Sequence, residues 1–391
     1  IANGDWSSDV CSSDLRDYAN IKSFDINGPA AITTGETGTY SVSNITDEYG
    51  DVVEMAPKYA IQNGSEYASI DPSTGVLTTT ASGDVTIAVT VGNPGKELTL
   101  TKDVTVANFY YVNKEVSEDS IVVDASSLAN YTADTEYYVT TAADGEIISQ
   151  TTTKATDGKI TVNTEGATAV EVSPVYSYTN GVSLPLEIPM PDGFYDFTFT
   201  KSSGDRADIF VNGNMVGQNV DQYGRGRSTS GSTYSVSDVK VSGGSAVVTM
   251  DASAMASVTA KKAPSIVERK QHVYILGDSL VSNYYGTFAD EDSDGIPAPG
   301  DAQTGWGQVM DKFIKDSVNV TNLAESGNYT QGLYDTTFHS VIANSEPGDV
   351  LLFECGYNDR TYPASMAESA RVENMKRSEE RRVGKECRSR W

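Results

Sequence analysis

The feature that most constrains the fold is a change in sequence texture near Lys261-Lys262-Ala263-Pro264. Before this point the chain is poor in lysine and arginine, and its short alternating apolar runs are separated by turn residues. That pattern is typical of β-sandwich modules. After this point apolar runs alternate with helix-like segments, which favours an α/β layer. The sequence therefore predicts several β modules followed by one α/β domain.

The β modules carry recognisable strand and turn signals. In residues 85–91 every second residue is apolar, which places four apolar side chains on one face of a strand. Residues 71–75 form a turn signal between two further apolar runs. Asn212-Gly213, between two more apolar runs, predicts a type I′ hairpin turn.

Three apolar runs in the last third of the chain are each followed by a polar block, so three strand ends deliver a serine, a glycine and an asparagine to one edge of a sheet. The runs, each with its block, are residues 272–276 with Gly277-Asp278-Ser279-Leu280, residues 318–320 with residues 322–327, and residues 350–355 with Gly356-Tyr357-Asn358-Asp359.

These blocks, in this order, resemble the GDSL or SGNH hydrolase superfamily, and within it the rhamnogalacturonan acetylesterases that deacetylate pectin. The matching stretch covers residues 273–362, under a quarter of the chain. The resemblance implies an α/β/α flavodoxin-like domain, with Ser279, Gly327 and Asn358 forming the oxyanion hole and Ser279 also acting as nucleophile. It implies no cofactor and no metal. Residues 303–308, which include Trp306, resemble a further segment of the acetylesterase branch.

The residue types suit ester hydrolysis, which needs a nucleophile, a base and donors to the oxyanion. Ser279 is expected at the start of a helix, where its backbone N–H lacks a helical partner. Gly327 permits close approach of the acyl group to the main chain, and Asn358 adds a side-chain donor. A helix cap is the alternative role for Ser279, and the two accompanying residues favour catalysis.

The base is missing from these blocks. The family takes its histidine and aspartate from a later Asp-x-x-His block, which does not occur before Arg377. His272 precedes the first of the three strands, and His339 with Asp335 has the i, i+4 spacing of a surface pair on a helix. We therefore expect the domain to be truncated, to carry half an active site and to be inactive as given.

Both termini, residues 1–15 and 377–391, resemble translated DNA sequencing adapters; a genuine basic C-terminal tail is the alternative. These segments hold six basic and six acidic residues, so the remainder keeps 22 basic, 48 acidic and the whole net charge of −26. Such a charge disfavours nucleic acid and anionic lipid as partners and suits a neutral or esterified polysaccharide. No 18-residue apolar stretch is present, so we expect no membrane span.

Two other features, Cys355 and the acidic residues 290–301, each have a purely structural and a functional interpretation. Outside the adapter-like segments Cys355 is the only cysteine, so a disulfide framework is excluded, and we expect a small buried apolar residue rather than a nucleophile. Residues 290–301 imitate a calcium loop, but Pro297, Pro299 and a displaced isoleucine favour a solvated acidic loop.

The sequence thus predicts a secreted serine esterase that removes acetyl groups from a pectin-like plant cell-wall polysaccharide. A lipase or thioesterase is disfavoured by the polar residues 282–285. The alternative is a non-catalytic extracellular binding or adhesion protein, with sugar contacts from residues such as Tyr223, Arg225 and Arg227. The sugar, the acetyl position and the oligomeric state stay open.

The predicted divisions follow from the one texture change, from the adapter-like ends and from the resemblances of two β modules. Residues 17–107 resemble bacterial immunoglobulin-like modules, with 68–78 as the matching stretch, and residues 184–260 resemble a β-sandwich found ahead of some acetylesterase domains. The divisions are an adapter-like segment (1–15), an immunoglobulin-like sandwich (16–107), a β-rich module (108–183), a possibly carbohydrate-binding sandwich (184–262), the truncated hydrolase domain (263–376) and a second adapter-like segment (377–391).

Overall fold

The computed structural model describes residues 20–179, 181–203, 207–220, 233–251, 254–282 and 305–360. The chain divides into two compact units. The first contains the residues up to Phe109 together with Ser242–Gly244, and the second contains Tyr110–Val241 and the residues from Ser245 onward. In the described ranges both are built mainly of β-strands.

The first unit is all β in its described residues. Its strands are β1 (Ile21–Asn27), β2 (Ala31–Thr33), β3 (Thr37–Thr39), β4 (Ser41–Asp47), β5 (Lys58–Asn63), β6 (Ala68–Ile70), β7 (Val76–Thr79), β8 (Gly83–Val91) and β9 (Leu98–Ala107). They form sheets of order β2-β9-β8-β5, β3-β7-β6 and β1-β4.

Two sequence predictions for this unit are confirmed. The alternating run lies in β8, where its apolar members are completely buried: Val85, Ile87, Val89 and Val91. The predicted turn joins β6 to β7. There the Asp71 carboxylate accepts the backbone N–H groups of Ser73 and Thr74 at 2.9 and 2.8 Å, and Gly75 adopts a left-handed φ of +70°.

The second unit begins with a small β-rich module. Its strands are β10 (Tyr111–Asn113), β11 (Ser120–Asp124), β12 (Glu136–Ala143), β13 (Glu146–Lys154), β14 (Lys159–Asn163) and β15 (Ala169–Pro174). They form the sheets β10-β15-β12-β13 and β11-β14, and a short 3-10 helix, Ala125–Ser127, follows β11.

A β-sandwich follows, formed by two four-stranded sheets of order β16-β23-β18-β21 and β17-β22-β19-β20. Its core contains Tyr195, Phe197 and Phe199, with 0% exposure each. The predicted hairpin joins β19 to β20, and φ is +51° at Asn212 and +75° at Gly213, as a type I′ turn requires. The strands are β16 (Tyr176–Tyr178), β17 (Leu186–Pro189), β18 (Gly193–Ser203), β19 (Ala207–Val211), β20 (Asn214–Val220), β21 (Thr233–Val241), β22 (Ser245–Met250) and β23 (Ala254–Lys262).

The three apolar runs near the polar blocks are confirmed as strands of one parallel sheet. They are β24 (Gln271–Gly277), β25 (Val318–Asn322) and β26 (Val350–Glu354), in the order β25-β24-β26. The helices of this region are the 3-10 helix Trp306–Lys312, α1 (Thr330–Asp335), α2 (Thr337–Asn344) and the 3-10 helix Asn358–Arg360. None of the helices in the described ranges has the length and hydrophobicity that a membrane span requires.

The predicted α/β/α flavodoxin-like domain is wrong. The described residues are mostly β-strand in many sheets, and the described part of this region has three strands with two α-helices of six and eight residues. The physical reason lies in the β-sandwich. Met215 of β20 and the half-buried Phe210 of β19 share a core with Tyr274, Leu276 and Phe338, so a β-hairpin covers sheet surface that a further helix was expected to cover.

Candidate functional site

The candidate site lies at the edge where the three parallel strands end. The register pairs Ile275 with Asn322 and Gly277 with Glu354, so the strands end close to the same level. The segments that leave this edge, residues 278–282, 323–328 and 355–359, are here named the strand-end cluster. They contain the predicted Ser279, Gly327 and Asn358, respectively.

Hydrogen bonds tie the segments of the strand-end cluster together. The backbone N–H of Glu325 donates to the carbonyl oxygen of Gly277 at 3.0 Å. The side-chain amide of Asn358 donates to the carbonyl oxygen of Asn328 at 2.9 Å. The first of these bonds joins the end of β24, directly before the serine segment, to the glycine segment. The second joins the glycine segment to the asparagine segment.

Ser279 lies in a tight turn built on the buried Asp278. The Asp278 carbonyl oxygen accepts the backbone N–H groups of Val281 at 3.0 Å and Ser282 at 3.1 Å, while its carboxylate accepts that of Leu280 at 3.0 Å. The Leu280 side chain is exposed. The described residues show one helical turn here, and any continuation of the predicted helix lies outside them.

Gly327 has the backbone conformation that its predicted role uses. Its φ is +85°, in the left-handed region that favours glycine, and an added Cβ would meet no atom of the described residues within 4 Å. There is therefore open space beside this residue. A residue with a side chain would be disfavoured at this position by backbone strain rather than by steric collision.

Asn358 and Asp359 are held by the start of α1. Asp359 accepts the Thr330 backbone N–H at 3.0 Å and the Thr330 hydroxyl at 2.5 Å. The bond from Asn358 to Asn328 uses one of the two amide N–H groups of its side chain, so the second remains available in principle to another acceptor.

Sequence reasoning missed the role of two glycines beside Trp306. A Cβ on Gly305 or on Gly307 would lie closer than 3.0 Å to backbone atoms of Val281, so the 3-10 helix can pack against the serine segment only with glycine at these positions. The Gly-x-Gly pattern was the available signal.

Trp306 lies against the strand-end cluster. Its backbone N–H donates to the Leu280 carbonyl oxygen at 2.9 Å, and its indole N–H donates to the Glu354 carboxylate. The Trp306 side chain is 36% exposed and Tyr357 is 67% exposed. Two partly apolar rings therefore face solvent next to the site.

Cys355 is a half-buried thiol. Burial raises its pKa to about 11, and its sulfur lies 2.8 Å from the Thr330 hydroxyl. At neutral pH it is therefore a thiol and not the thiolate that a cysteine nucleophile requires, in agreement with the sequence interpretation.

Neither histidine contacts the strand-end cluster through the described hydrogen bonds. His272 lies within β24 and does not precede it. It is 1% exposed, and its Nε2 lies 2.8 Å from the Thr321 hydroxyl. His339 is exposed on α2, whose buried residues are Thr337, Phe338, Ser340, Val341 and Asn344. The prediction of one helix carrying both Asp335 and His339 is wrong, because α1 ends at Asp335 and Thr336, with φ −115° and ψ −82°, separates it from α2.

Glu325 is a site residue that the sequence did not reveal. Burial raises the pKa of its carboxyl group, and the nearby Asp208 raises it further, whereas hydrogen bonds from Gln218 and Asn328 oppose the shift. Asp208 and Gln218 belong to the β-sandwich and lie more than a hundred residues earlier in the chain. No local pattern could have indicated this environment.

Several predicted features lie outside the described residues: the adapter-like termini, the sugar-binding candidates Tyr223, Arg225 and Arg227, and the acidic residues 290–301. Within the described ranges no group of three or more histidine, cysteine, aspartate or glutamate residues could hold a metal ion.

No family model and no curated protein matches the chain. Among solved structures it is similar to the protein YXIM of Bacillus subtilis, with 19% identity, a TM-score of 0.40 and coverage of 54% of this chain and 61% of that one. A family two carbohydrate esterase from Cellvibrio japonicus has 11% identity and a TM-score of 0.25, with 54% and 72% coverage. A structure of carbohydrate-binding modules of the β-sandwich superfamily has 10% identity and a TM-score of 0.18, with 62% and 91% coverage.

The solved structures similar to this chain thus include an esterase and binding modules that are named for carbohydrate. The chain spans 61% of the length of the Bacillus subtilis protein. At these identities and TM-scores the similarities establish neither a family nor a shared activity.

Proposed function

We propose that this protein is an extracellular serine esterase that releases acetyl groups from a plant cell-wall polysaccharide of the pectin type. Ser279 is the nucleophile in this proposal. The observation that carries it is the hydrogen-bonded strand-end cluster, in which segments bearing Ser279, Gly327 and Asn358 leave one edge of a parallel sheet.

In the proposed reaction the Ser279 hydroxyl oxygen attacks the acetyl carbonyl carbon, and the carbonyl oxygen becomes an oxyanion. The backbone N–H groups of Ser279 and Gly327 and the second side-chain N–H of Asn358 donate to it. The bond between the acyl carbon and the sugar oxygen then breaks, and the sugar oxygen takes up the proton that Ser279 released. Water hydrolyses the acetyl-serine to acetate and free serine. The open space at Gly327 supports this role, because the acyl group has to approach the main chain closely.

The proton of Ser279 requires an acceptor, and neither histidine is suited to this task. His272 lies five residues before the end of β24 at Gly277, about 17 Å at roughly 3.3 Å per residue, and its Nε2 is turned to the Thr321 hydroxyl. His339 lies on the exposed face of α2. We therefore propose that the chain as given turns over slowly.

A carbohydrate ester is preferred as substrate because of the surroundings of the site. Exposed aromatic rings, Trp306 and Tyr357, can stack against the apolar faces of sugar rings. The net charge of −26 disfavours bare polyanions and anionic lipid surfaces, so within the pectin type it favours a polymer whose uronate carboxyl groups are esterified.

Acetate release from acetylated pectin and acetylated xylan tests this proposal, with 4-nitrophenyl acetate as a small reference ester. We expect slow release by the wild-type chain and none above background by Ser279→Ala. Ser69→Ala, which changes an exposed serine in the first unit, should behave like the wild type. Equal release by the wild type and Ser279→Ala would refute the assignment. Polysaccharide binding without any release would favour the non-catalytic alternative.

A further inference from the structure

The β-sandwich presents one face of β19 and β20 to the parallel sheet. Met215 and Phe210, which are opposite each other in the β19–β20 pairing, pack against the core of the sheet. Farther along these strands Ile209 pairs with Gly217 and Ala207 with Val220. This register places Asp208 and Gln218 in neighbouring positions, and both interact with Glu325 of the strand-end cluster.

Gln218 is anchored at an energetic cost. It is 4% exposed and lies near enough to Glu325 to oppose the rise of that carboxyl group's pKa. The carbonyl oxygen of the same amide is buried without a hydrogen-bond partner among the described residues. A buried unpaired amide oxygen destabilises the fold, so the position of this side chain beside Glu325 has an energetic cost.

Glu325 in turn fixes Asn328. The Asn328 side-chain amide donates to the Glu325 carboxylate at 2.9 Å, and its side-chain oxygen accepts the Tyr329 backbone N–H at 2.9 Å. The packing is close, since a Cβ on Gly332 would collide with that side-chain oxygen. Asn328 is 8% exposed, so it has no freedom to reorient into solvent.

The carbonyl oxygen of Asn328 is the acceptor for the Asn358 side-chain amide at 2.9 Å. Hydrogen bonds therefore lead from Glu325 through Asn328 to Asn358, and the buried Gln218 lies beside Glu325 at the start of this path. The orientation of the Asn358 amide decides where its second N–H points, and an oxyanion donor must be directed within tenths of an ångström.

We propose that Glu325 is a positioning residue for the Asn358 amide and that Gln218 of the β-sandwich anchors it. This inference rests on the proposed function. The β-sandwich is then a working part of the ester-hydrolysing site and not only a separable sugar-binding module. Glu325 acts through Asn358 and does not touch the substrate.

A double-mutant cycle on acetate release tests the inference with Glu325→Ala, Asn358→Ala and the double variant. We expect Glu325→Ala to lower kcat by about ten- to a hundredfold with little change in KM, because a displaced donor loses transition-state contact. In the Asn358→Ala background the same change should have no further effect on kcat. Glu325→Gln, which keeps an acceptor for Asn328, should recover most of the loss. Glu187→Ala, an exposed glutamate on β17, is the matched control.

Equal reductions of kcat in both backgrounds would refute the inference, because they would show that Glu325 does not act through Asn358. A readout independent of catalysis is the side-chain amide resonance of Asn358 in a ¹⁵N spectrum, assigned by its loss in Asn358→Asp. It should shift in Glu325→Ala and in Gln218→Leu but not in Glu187→Ala.

If the wild-type chain releases no acetate, the proposed function fails, and the spectrum alone decides whether the path of contacts exists. Unchanged Asn358 resonances in both Glu325→Ala and Gln218→Leu would overturn the positional claim.

Discussion

Acidification is expected to destabilise the region around β24 through His272. The imidazole is fully buried, stacks on Tyr274 with a centroid separation of 4.2 Å, and has Nε2 against the Thr321 hydroxyl. Its Nδ1 is buried with no hydrogen-bond partner among the described residues. Burial lowers the His272 pKa to about 4; nearby Asp349 opposes this shift and Arg269 adds to it. The folded protein therefore excludes a proton that the unfolded chain binds.

The direction and the size of the pH effect on stability follow from this difference in proton binding between the folded and unfolded states. Because the folded pKa lies below the unfolded value near 6.5, the stabilisation is complete above pH 6.5 and is lost as the pH falls toward 4. At pH 5 the loss amounts to about 2 kcal/mol relative to pH 7.5. Asp196 and Asp238 contribute with the opposite sign, since burial raises their pKa values. The total pH dependence therefore does not isolate His272, and a comparison between variants is needed.

The comparison is between the wild type and His272→Gln, which keeps a polar group near Thr321 but cannot be protonated. His339→Gln is the matched control, because it removes the other, exposed histidine. Urea unfolding is followed by pulsed hydrogen exchange of the peptide that contains β24, since a multidomain chain does not unfold in one step.

We expect the stability advantage of the wild type over His272→Gln to shrink by about 2 kcal/mol between pH 7.5 and pH 5. The His339→Gln chain should follow the wild type throughout. A difference between the wild type and His272→Gln that does not change with pH would refute the reasoning, because it would mean that His272 is protonated equally in both states.

Three further predictions concern packing and the proton acceptor. Gly305→Ala should destabilise the region by about 1–3 kcal/mol in the same unfolding experiment, because its Cβ would overlap Val281 and Ser282 backbone atoms; no loss would contradict the described packing. Glu171→Ala should cost about 3–5 kcal/mol, because it leaves Lys262, now 2.9 Å from Glu171 and 7% exposed, buried without its counter-charge; a loss below about 1 kcal/mol would contradict this. Added imidazole should raise 4-nitrophenyl acetate hydrolysis by the wild type more than by Ser279→Ala, and equal increases would argue against a missing acceptor.

Local patterns were sufficient for the elements whose burial follows the sequence period. The alternation in β8, the Asn212-Gly213 turn and the three parallel strands were predicted because each depends on neighbouring residues. The order of polar blocks after those strands also predicted which segments share an edge.

The remaining features depend on contacts that are distant in the sequence. The hairpin of β19 and β20 covers part of the sheet with Met215 and Phe210, and neither residue carries a local signal for that role. Asp208 and Gln218, which shift the pKa of Glu325, likewise carry no local signal for that role. The break at Thr336 was hidden because the surrounding apolar spacing suits one longer helix.

The most direct test of the central claim is covalent labelling by a fluorophosphonate, followed by mass spectrometry of the peptides. The account predicts phosphonylation of Ser279, faster in the presence of imidazole and slower in Asn358→Ala. Labelling of a different serine, or no labelling of Ser279 even with imidazole, would contradict the assignment of this residue as the nucleophile.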